Sequence, residues 1–462
     1  MTQTVALPLW LLILIILFAA VTASTHLLFP SVRWYFRRRA ERIVARLNER
    51  LQHPIQPFKL LRRQDMIQRV IYDPEVMRAA AEYAAETGVR EDVAFEKARD
   101  FAREIVPSFS ASAYFGFAIR FARWLATWLF DVRLTYTDEA ALSAVDPKAT
   151  VVFVINHRSN FDYVLVTYLA ADRSALSYAV GEWARVWPLS ALIKALGAYF
   201  IRRRQRGALY RQVLSTYVQK ATGAGVAQAV FPEGGLSRDG RLGPPKLGIL
   251  AYIVEGWRKG DRDVVFVPVA LNYDRVVEDR ILIAAGRAGS RQFRASAPEA
   301  VGFVLRYFRR RLTGRVGRFG TAAVTFGHPL SLAEFAGGEE ADLVPALAGR
   351  LFDDIAEAMP LTTAPLALAA LTALGGARPV GEIAAWMDAH YDDPPAGGDT
   401  GALEAVLDGL VLRRVLTVQD GLYRIVNSDL AKFYVNSLEL HFSAPASEGS
   451  AQEVVEAESE KS

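Results

Sequence analysis

The chain has 462 residues, 52% of them hydrophobic and 23% charged, so it can bury a core of one large or two modest domains and is not a disordered chain. It contains no cysteine, which excludes disulfide scaffolds, thiolate metal centres and cysteine nucleophiles. A net charge of +4 from 54 basic and 50 acidic residues is too even for a nucleic-acid binder and suits an anionic lipid or a small anionic substrate.

Residues 6–29 form a nearly unbroken apolar run, long enough at about 1.5 Å per residue to cross a hydrocarbon layer of about 30 Å. No Lys or Arg precedes the run, whereas Arg33, Arg37, Arg38, Arg39 and Arg42 follow it beside Trp34, Tyr35 and Phe36. This asymmetry predicts a membrane anchor over residues 1–30, with the body of the protein on the cytoplasmic side of the cell membrane. A cleaved signal peptide is the alternative, but the basic segment that such a signal requires is missing.

Residues 31–108 are rich in Ala, Arg and Glu and are broken at Pro54, Pro57 and Pro74, which predicts a helical collar. Residues 109–130 combine Phe, Trp and Tyr with Arg120 and Arg123, the composition of a helix lying in the headgroup plane or of a buried helix with one wet edge. Short β-branched runs at 151–155, 226–231, 264–271 and 322–326 alternate with helical stretches and predict an α/β domain over residues 109–335. Residues 336–442 turn helical again and end in a hairpin, 415–418 and 423–426 around Gln419-Asp420-Gly421, which suggests a winged-helix-like module. From residue 361 to 442 this stretch carries five basic residues against ten acidic ones, the wrong balance for DNA, so packing against a neighbouring domain is its expected role. Residues 443–462, rich in Glu, Ser and Ala, are expected to form a disordered acidic tail.

The polar turn Asn156-His157-Arg158-Ser159-Asn160-Phe161-Asp162 follows the apolar run 151–155 and leads into an apolar helix. His157 thus falls at the carboxyl rim of the sheet, where open α/β sheets bind ligands, and Asp162 falls in the first turn of the next helix. A carboxylate there could fix the imidazole tautomer and leave the other ring nitrogen free to accept a proton, although an exposed turn histidine would carry the same pattern. Further on, 197–201 runs into Arg202, Arg203 and Arg204, forked donors suited to a phosphate or simply a solvated strand end. Glu233-Gly234-Gly235-Leu236-Ser237-Arg238 and Arg241 follow another strand, where glycines let backbone N–H groups approach an anion or merely make a turn. The run Val267-Pro268-Val269-Ala270-Leu271-Asn272-Tyr273-Asp274 reads as a strand ending in polar residues. No metal-ligand spacing, Gly-x4-Gly-Lys phosphate loop or dinucleotide fingerprint occurs, so neither a metal nor a bound cofactor is expected.

In this order and spacing the four blocks resemble the glycerolipid acyltransferase superfamily, and within it the membrane-bound glycerol-3-phosphate acyltransferases, through His157-Arg158-Ser159 with Asp162-Tyr163, Phe200-Ile201-Arg202-Arg203, Glu233-Gly234-Gly235 with Ser237-Arg238, and Pro245-Lys246 with Gly248. The resemblance spans about residues 110–330. It implies a mixed sheet flanked by helices, and transfer of a fatty acyl group from acyl-CoA or acyl-carrier protein to the sn-1 hydroxyl of glycerol 3-phosphate in phospholipid synthesis. It further implies His157 and Asp162 as the catalytic pair, and Arg158, Ser159, Arg202, Arg203, Glu233, Gly234, Gly235, Ser237, Arg238 and Pro268 as substrate-binding residues. Leu236 stands where the family usually shows Arg, which shifts phosphate binding onto Arg202, Arg203 and Arg238. Asn156 and the Phe231-Pro232 pair are shared with the sibling lysophosphatidic acid acyltransferases, which remain the alternative, beside a non-catalytic lipid-binding scaffold.

Overall fold

The computed structural model describes residues 8–23, 42, 44–169, 175–181, 189–202, 207–259, 262–288, 317–337, 342–391, 394–395 and 399–439. The β-branched runs become a mixed sheet of eight strands: β1 (Asp131–Tyr136), β2 (Thr150–Ile155), β3 (Ser177–Gly181), β4 (Tyr199–Ile201), β5 (Gln228–Val230), β6 (Val264–Tyr273), β7 (Thr321–Phe326) and β8 (Leu330–Ser331). Their order is β1-β7-β6-β2-β5-β3-β4, with β8 alongside β6. Strands β2 and β6, the most continuous apolar runs, are buried at every position and pair in parallel at the centre. β7 runs antiparallel to β6 and parallel to β1, which makes the sheet mixed.

Because side chains alternate across a strand, β2 feeds two cores. Val151, Phe153 and Ile155 point into one layer, with the helices Ile119–Leu129, Asp162–Leu169 and Thr363–Leu374. Val152 and Val154 point into the other, against the collar helices Arg63–Ile71, Pro74–Thr87 and Glu91–Ile105 and the helices Ala208–Gly223, Gly248–Arg258 and Leu343–Glu357. The collar helices approach closely because their inward positions are small, Ala80 and Ala84 on one and Ala94, Ala98 and Ala102 on the next.

At the amino end, the described helix Leu9–Ala23 has 15 residues. At about 1.5 Å per residue it measures roughly 22 Å, short of the roughly 30 Å of a hydrocarbon layer, and among the described residues no helix is long and apolar enough to cross a membrane. Most of the remainder of the expected anchor, with Arg33 to Arg39, lies outside the described residues, as does the expected tail 443–462.

The aromatic segment expected over 109–130 is a π-helical turn, Ser112–Ala118, continuing into the helix Ile119–Leu129. Its inward face is small, Ala118, Ala122 and Ala126, and its outward face is large: Phe117, Phe121 and Trp124 are exposed beside Arg120 and Arg123. Phe117 stacks on Phe121 at 5.6 Å and Trp124 on Trp128 at 5.8 Å, a ladder of rings along the helix.

Beyond residue 360 the chain forms the helix Thr363–Leu374, a strand β9 (Ala377–Pro379), the helices Val380–His390 and Thr400–Leu412, the hairpin β10 (Leu416–Gln419) with β11 (Leu422–Ile425), and a last helix, Ser428–Val435. The hairpin closes on Asp420-Gly421, both with positive φ (50° and 75°), the two-residue turn whose twist matches antiparallel strands. Asp274, just past β6, fastens this region to the sheet: its buried carboxylate accepts the N–H of Thr321 on β7 and the N–H of Ala364, each at 2.7 Å. Asp274→Ala should lower the unfolding midpoint measurably in a thermal melt, since each stranded buried N–H costs about 1–3 kcal/mol.

Candidate active site

Past Ile155 the β2 ladder is continued by side chains. The Asn156 amide brackets Leu271 on β6, donating to its carbonyl at 3.0 Å and accepting its N–H at 2.7 Å. On the other flank the His157 main chain is gripped by the loop after β5: its N–H donates to Glu233 Oε1 at 2.6 Å, and its carbonyl accepts the N–H of Ser237 at 2.9 Å. The backbone at the rim is therefore fixed from both neighbouring strands before any ring chemistry is considered.

His157 Nδ1 lies 2.9 Å from Asp162 Oδ2. The same oxygen accepts the N–H groups of Arg158 at 2.8 Å and Ser159 at 3.0 Å, and Oδ1 accepts the hydroxyl of Tyr273 at 2.6 Å. Asp162 is fully buried, and its carboxylate is met by these donors from the turn, the ring and β6. With Nδ1–H committed to the carboxylate, Nε2 is the basic nitrogen, and no described residue is hydrogen-bonded to it. The ring packs against Phe231, centroids 4.4 Å apart, and edge-on against Tyr163 at 5.5 Å.

The structure distributes the other expected site residues unevenly. Glu233 is no open substrate contact: its carboxylate is divided between the His157 N–H and the Gly243 N–H at 3.0 Å, and burial pushes it above the usual carboxylate range while those N–H groups and Arg158 pull it back. Arg158 is 3% exposed and donates inward to the Gly240 carbonyl, with Met359 Sδ at 4.0 Å; burial lowers it from the ordinary arginine value. Ser159 donates to Glu278 Oε2 at 2.7 Å and accepts the N–H of Phe161, so its hydroxyl staples the turn. Ser237 likewise works within its loop, accepting the Gly240 N–H at 3.0 Å and donating to the Arg241 carbonyl at 2.8 Å. Gly234 turns with φ of 67° beneath the side chain of Lys246, and Gly235 follows in the same bend.

Arg238 directly follows the residue bonded to the His157 carbonyl, and its half-buried guanidinium has no hydrogen bond or ion pair among the described residues. Arg202 stands at the end of β4, three strands from β2, or roughly 14 Å at the usual strand spacing. Both its Nε and its Nη2 donate to Glu104 of the collar, at 2.9 and 2.6 Å. Arg203 lies outside the described residues. Pro268 is buried within β6 opposite Val154, roughly 10 Å along the strand before the level of His157. It sits where the second neighbour of β6 changes from β8 to β7, and its carbonyl accepts the N–H of Gly327 at 2.8 Å. That is a sheet position, not a place at the rim. Leu236 packs on the apolar core.

Two features escaped the sequence. Glu278 accepts from Ser159 and from the Asn160 N–H (3.2 Å) and side-chain amide (3.1 Å), and burial raises it above the usual carboxylate range. The carboxyl-terminal helix seats on the Ser237–Arg241 loop: the Asn436 amide donates to the Asp239 carbonyl at 2.8 Å, Arg241 pairs with Glu439, and Gly240, at φ of 89°, presses its Cα against the Phe433 carbonyl. Its neighbour Tyr434 donates to Asp279 at 2.7 Å and accepts the Val276 N–H, and Arg413 also pairs with Asp279.

Residues 133–272 match the family model described as Acyltransferase. The chain is 28% identical over 290 residues to a glycerol-3-phosphate acyltransferase of Pseudomonas syringae pv. tomato, an alignment covering 61% of this chain and 33% of that protein. It is 30% identical over 300 residues to the protein of the same name from Shewanella sp. (strain ANA-3), covering 63% of this chain and 35% of that one. The chain thus spans about a third of the length of the curated relatives it matches. The crystal structure of a 1-acyl-sn-glycerophosphate acyltransferase from Thermotoga maritima aligns over 53% of this chain and 78% of that one, at 16% identity and a TM-score of 0.34.

Gly240→Ala should unseat the last helix, because a methyl group there would overlap the Phe433 carbonyl; hydrogen exchange over residues 428–439 should accelerate, whereas Gly116→Ala, with open space around it, should leave exchange unchanged. With the histidine–aspartate turn on β2, the glycine loop gripping it and the family match over the same strands, residues 133–272 form an acyltransferase domain.

Proposed function

We propose that the chain transfers a fatty acyl group from a thioester of CoA or acyl-carrier protein to the sn-1 hydroxyl of glycerol 3-phosphate. The observation that carries this reading is the buried His157–Asp162 pair, bonded through the His157 carbonyl to Ser237 of the glycine loop, whose next residue, Arg238, has no hydrogen bond or ion pair among the described residues. A base on one turn and an arginine on the loop bonded to that turn suit an acceptor that is both an alcohol and a phosphate.

In this mechanism His157 Nε2 takes the hydroxyl proton as the oxygen attacks the thioester carbonyl carbon. Asp162 holds the ring and stabilises the imidazolium. The tetrahedral adduct collapses, the C–S bond breaks, and the thiolate leaves with the proton returned from the ring. No covalent enzyme intermediate is required, because a thioester is already activated; a positioned base typically supplies about 10²–10⁴-fold. Arg238 holds the phosphate, with Arg203 as a second candidate. For Arg202 to join them, the phosphate has to displace Glu104 from its fork.

Work at a lipid surface is part of the same proposal. The side chains Leu9 to Phe18 are mostly exposed, and the aromatic ladder of Phe117, Phe121 and Trp124 lies outward with Arg120 and Arg123, a composition suited to the headgroup boundary. The region after residue 360 has the strand and helix order of a winged-helix-like module, and its acidic character and its seat on the Ser237–Arg241 loop support packing in place of nucleic-acid binding.

The test is acceptor specificity of the full chain with radiolabelled glycerol 3-phosphate and a long-chain acyl thioester. His157→Ala should reduce turnover by at least about 10²-fold, and Arg238→Ala should chiefly raise KM for glycerol 3-phosphate. Acylation of lysophosphatidic acid but not of glycerol 3-phosphate would move the chain to the sibling activity, and near-normal turnover of His157→Ala would overturn the mechanism.

A further inference from the structure

Asp162 has two oxygens in unequal surroundings. Oδ2 is shared among the His157 ring and two backbone N–H groups, whereas among the described residues the donor to Oδ1 is the Tyr273 hydroxyl at 2.6 Å. Tyr273 is itself fixed: it is 1% exposed, paired with Ala322 across to β7, and its ring lies 5.5 Å from that of Phe130. The hydroxyl is held well above the ordinary tyrosine range by burial and by the Asp162 charge, so it remains a donor at any working pH.

We infer that Tyr273 is a positioning residue for the acyl-transfer reaction, holding the Asp162 carboxylate, and through it the His157 ring, in the orientation and charge state the base requires. The inference rests on the proposed role of His157. The hydrogen bond does two things. It prevents the carboxylate from rotating away from Nδ1, and it stabilises the carboxylate form of Asp162. The charged or titratable groups facing this hydroxyl are Asp162 from the helix after the turn, Arg158 from the turn itself and Glu278 from the segment after β6; Phe130 presents only an apolar ring. None of the others is hydrogen-bonded to Oδ1, so none replaces the lost donor.

The sign of the effect follows. Removing a hydrogen-bond donor from a carboxylate makes that carboxylate a stronger acceptor of the neighbouring ring proton, which moves the acid-side fall of activity upward. Tyr273→Phe should lower kcat roughly tenfold or more, the loss expected for a hydrogen bond to a charged group, leave KM for glycerol 3-phosphate within about twofold, and shift the acid limb of the kcat–pH profile to higher pH. A variant that lost only packing would lower its melting temperature without moving that limb. Normal kcat with an unmoved limb overturns the inference. His157→Ala is measured beside it: an active His157→Ala removes the catalytic reading altogether, whereas an inactive His157→Ala with an unaffected Tyr273→Phe removes only the role of Tyr273. If Tyr273→Phe does not fold, 3-fluorotyrosine at position 273 keeps the shape and makes the donor stronger, and the limb should move to lower pH; an unmoved limb again overturns it.

Discussion

A carboxylate sealed from water is costly unless donors meet both of its oxygens, and Asp162 has four, three on Oδ2 and one on Oδ1. The donors come from three places: the turn after β2, the histidine ring and the end of β6. Forming the bonds therefore requires the β2 turn to close and β6 to stand beside it in one register. The parallel pairing of β2 with β6 sets that register, and Asn156 extends it one residue past the strand by taking both polar groups of Leu271. The fold and the site are in this sense one structure, because a slip of one residue between the central strands would leave a buried charge unpaired.

Around this point the chain arranges a second ring of support. Glu233 and Ser237 hold the main chain of His157 from the β5 side, Glu278 holds the hydroxyl of Ser159 and the amides of Asn160, and Arg158 reaches across to Gly240. Several residues whose type invites a substrate contact are thus engaged with the protein itself. Arg238 differs: it extends from a loop held at Ser237 and Gly240, yet its own guanidinium is uncommitted among the described residues.

Much of the sheet was legible because buried parallel strands are spelled as unbroken β-branched runs, as β2 and β6 are. The hairpin was legible from Asp420-Gly421 between two apolar segments. β1 was not singled out: an edge strand with Asp131 and Arg133 along a largely exposed face has no continuous apolar signature. β3, a five-residue strand containing Ser177 and Gly181, was equally silent. In the site, the spacing of His157 and Asp162 announced their contact, since a tight turn followed by a helix start brings residues five apart together. Spacing could not announce Tyr273 or Glu278, which arrive from more than a hundred residues away through strand register. Nor could it show that Glu104 from the collar occupies the fork of Arg202, or that Pro268 lies inside the sheet at a change of partner strands.

The seat of the Phe433–Glu439 segment on the loop around Gly240 has a consequence for how the molecule is made. Contacts that join Arg158 to Gly240, and Gly240 to Phe433, link segments some 275 residues apart, and closing so long a loop comes late in folding. On a ribosome, where domains form from the amino end as synthesis proceeds, the β2 turn emerges long before the helix that braces its neighbouring loop. The turn that carries His157 is therefore made well before the helix Ser428–Val435, and its neighbouring loop stays unbraced until that helix has cleared the exit tunnel.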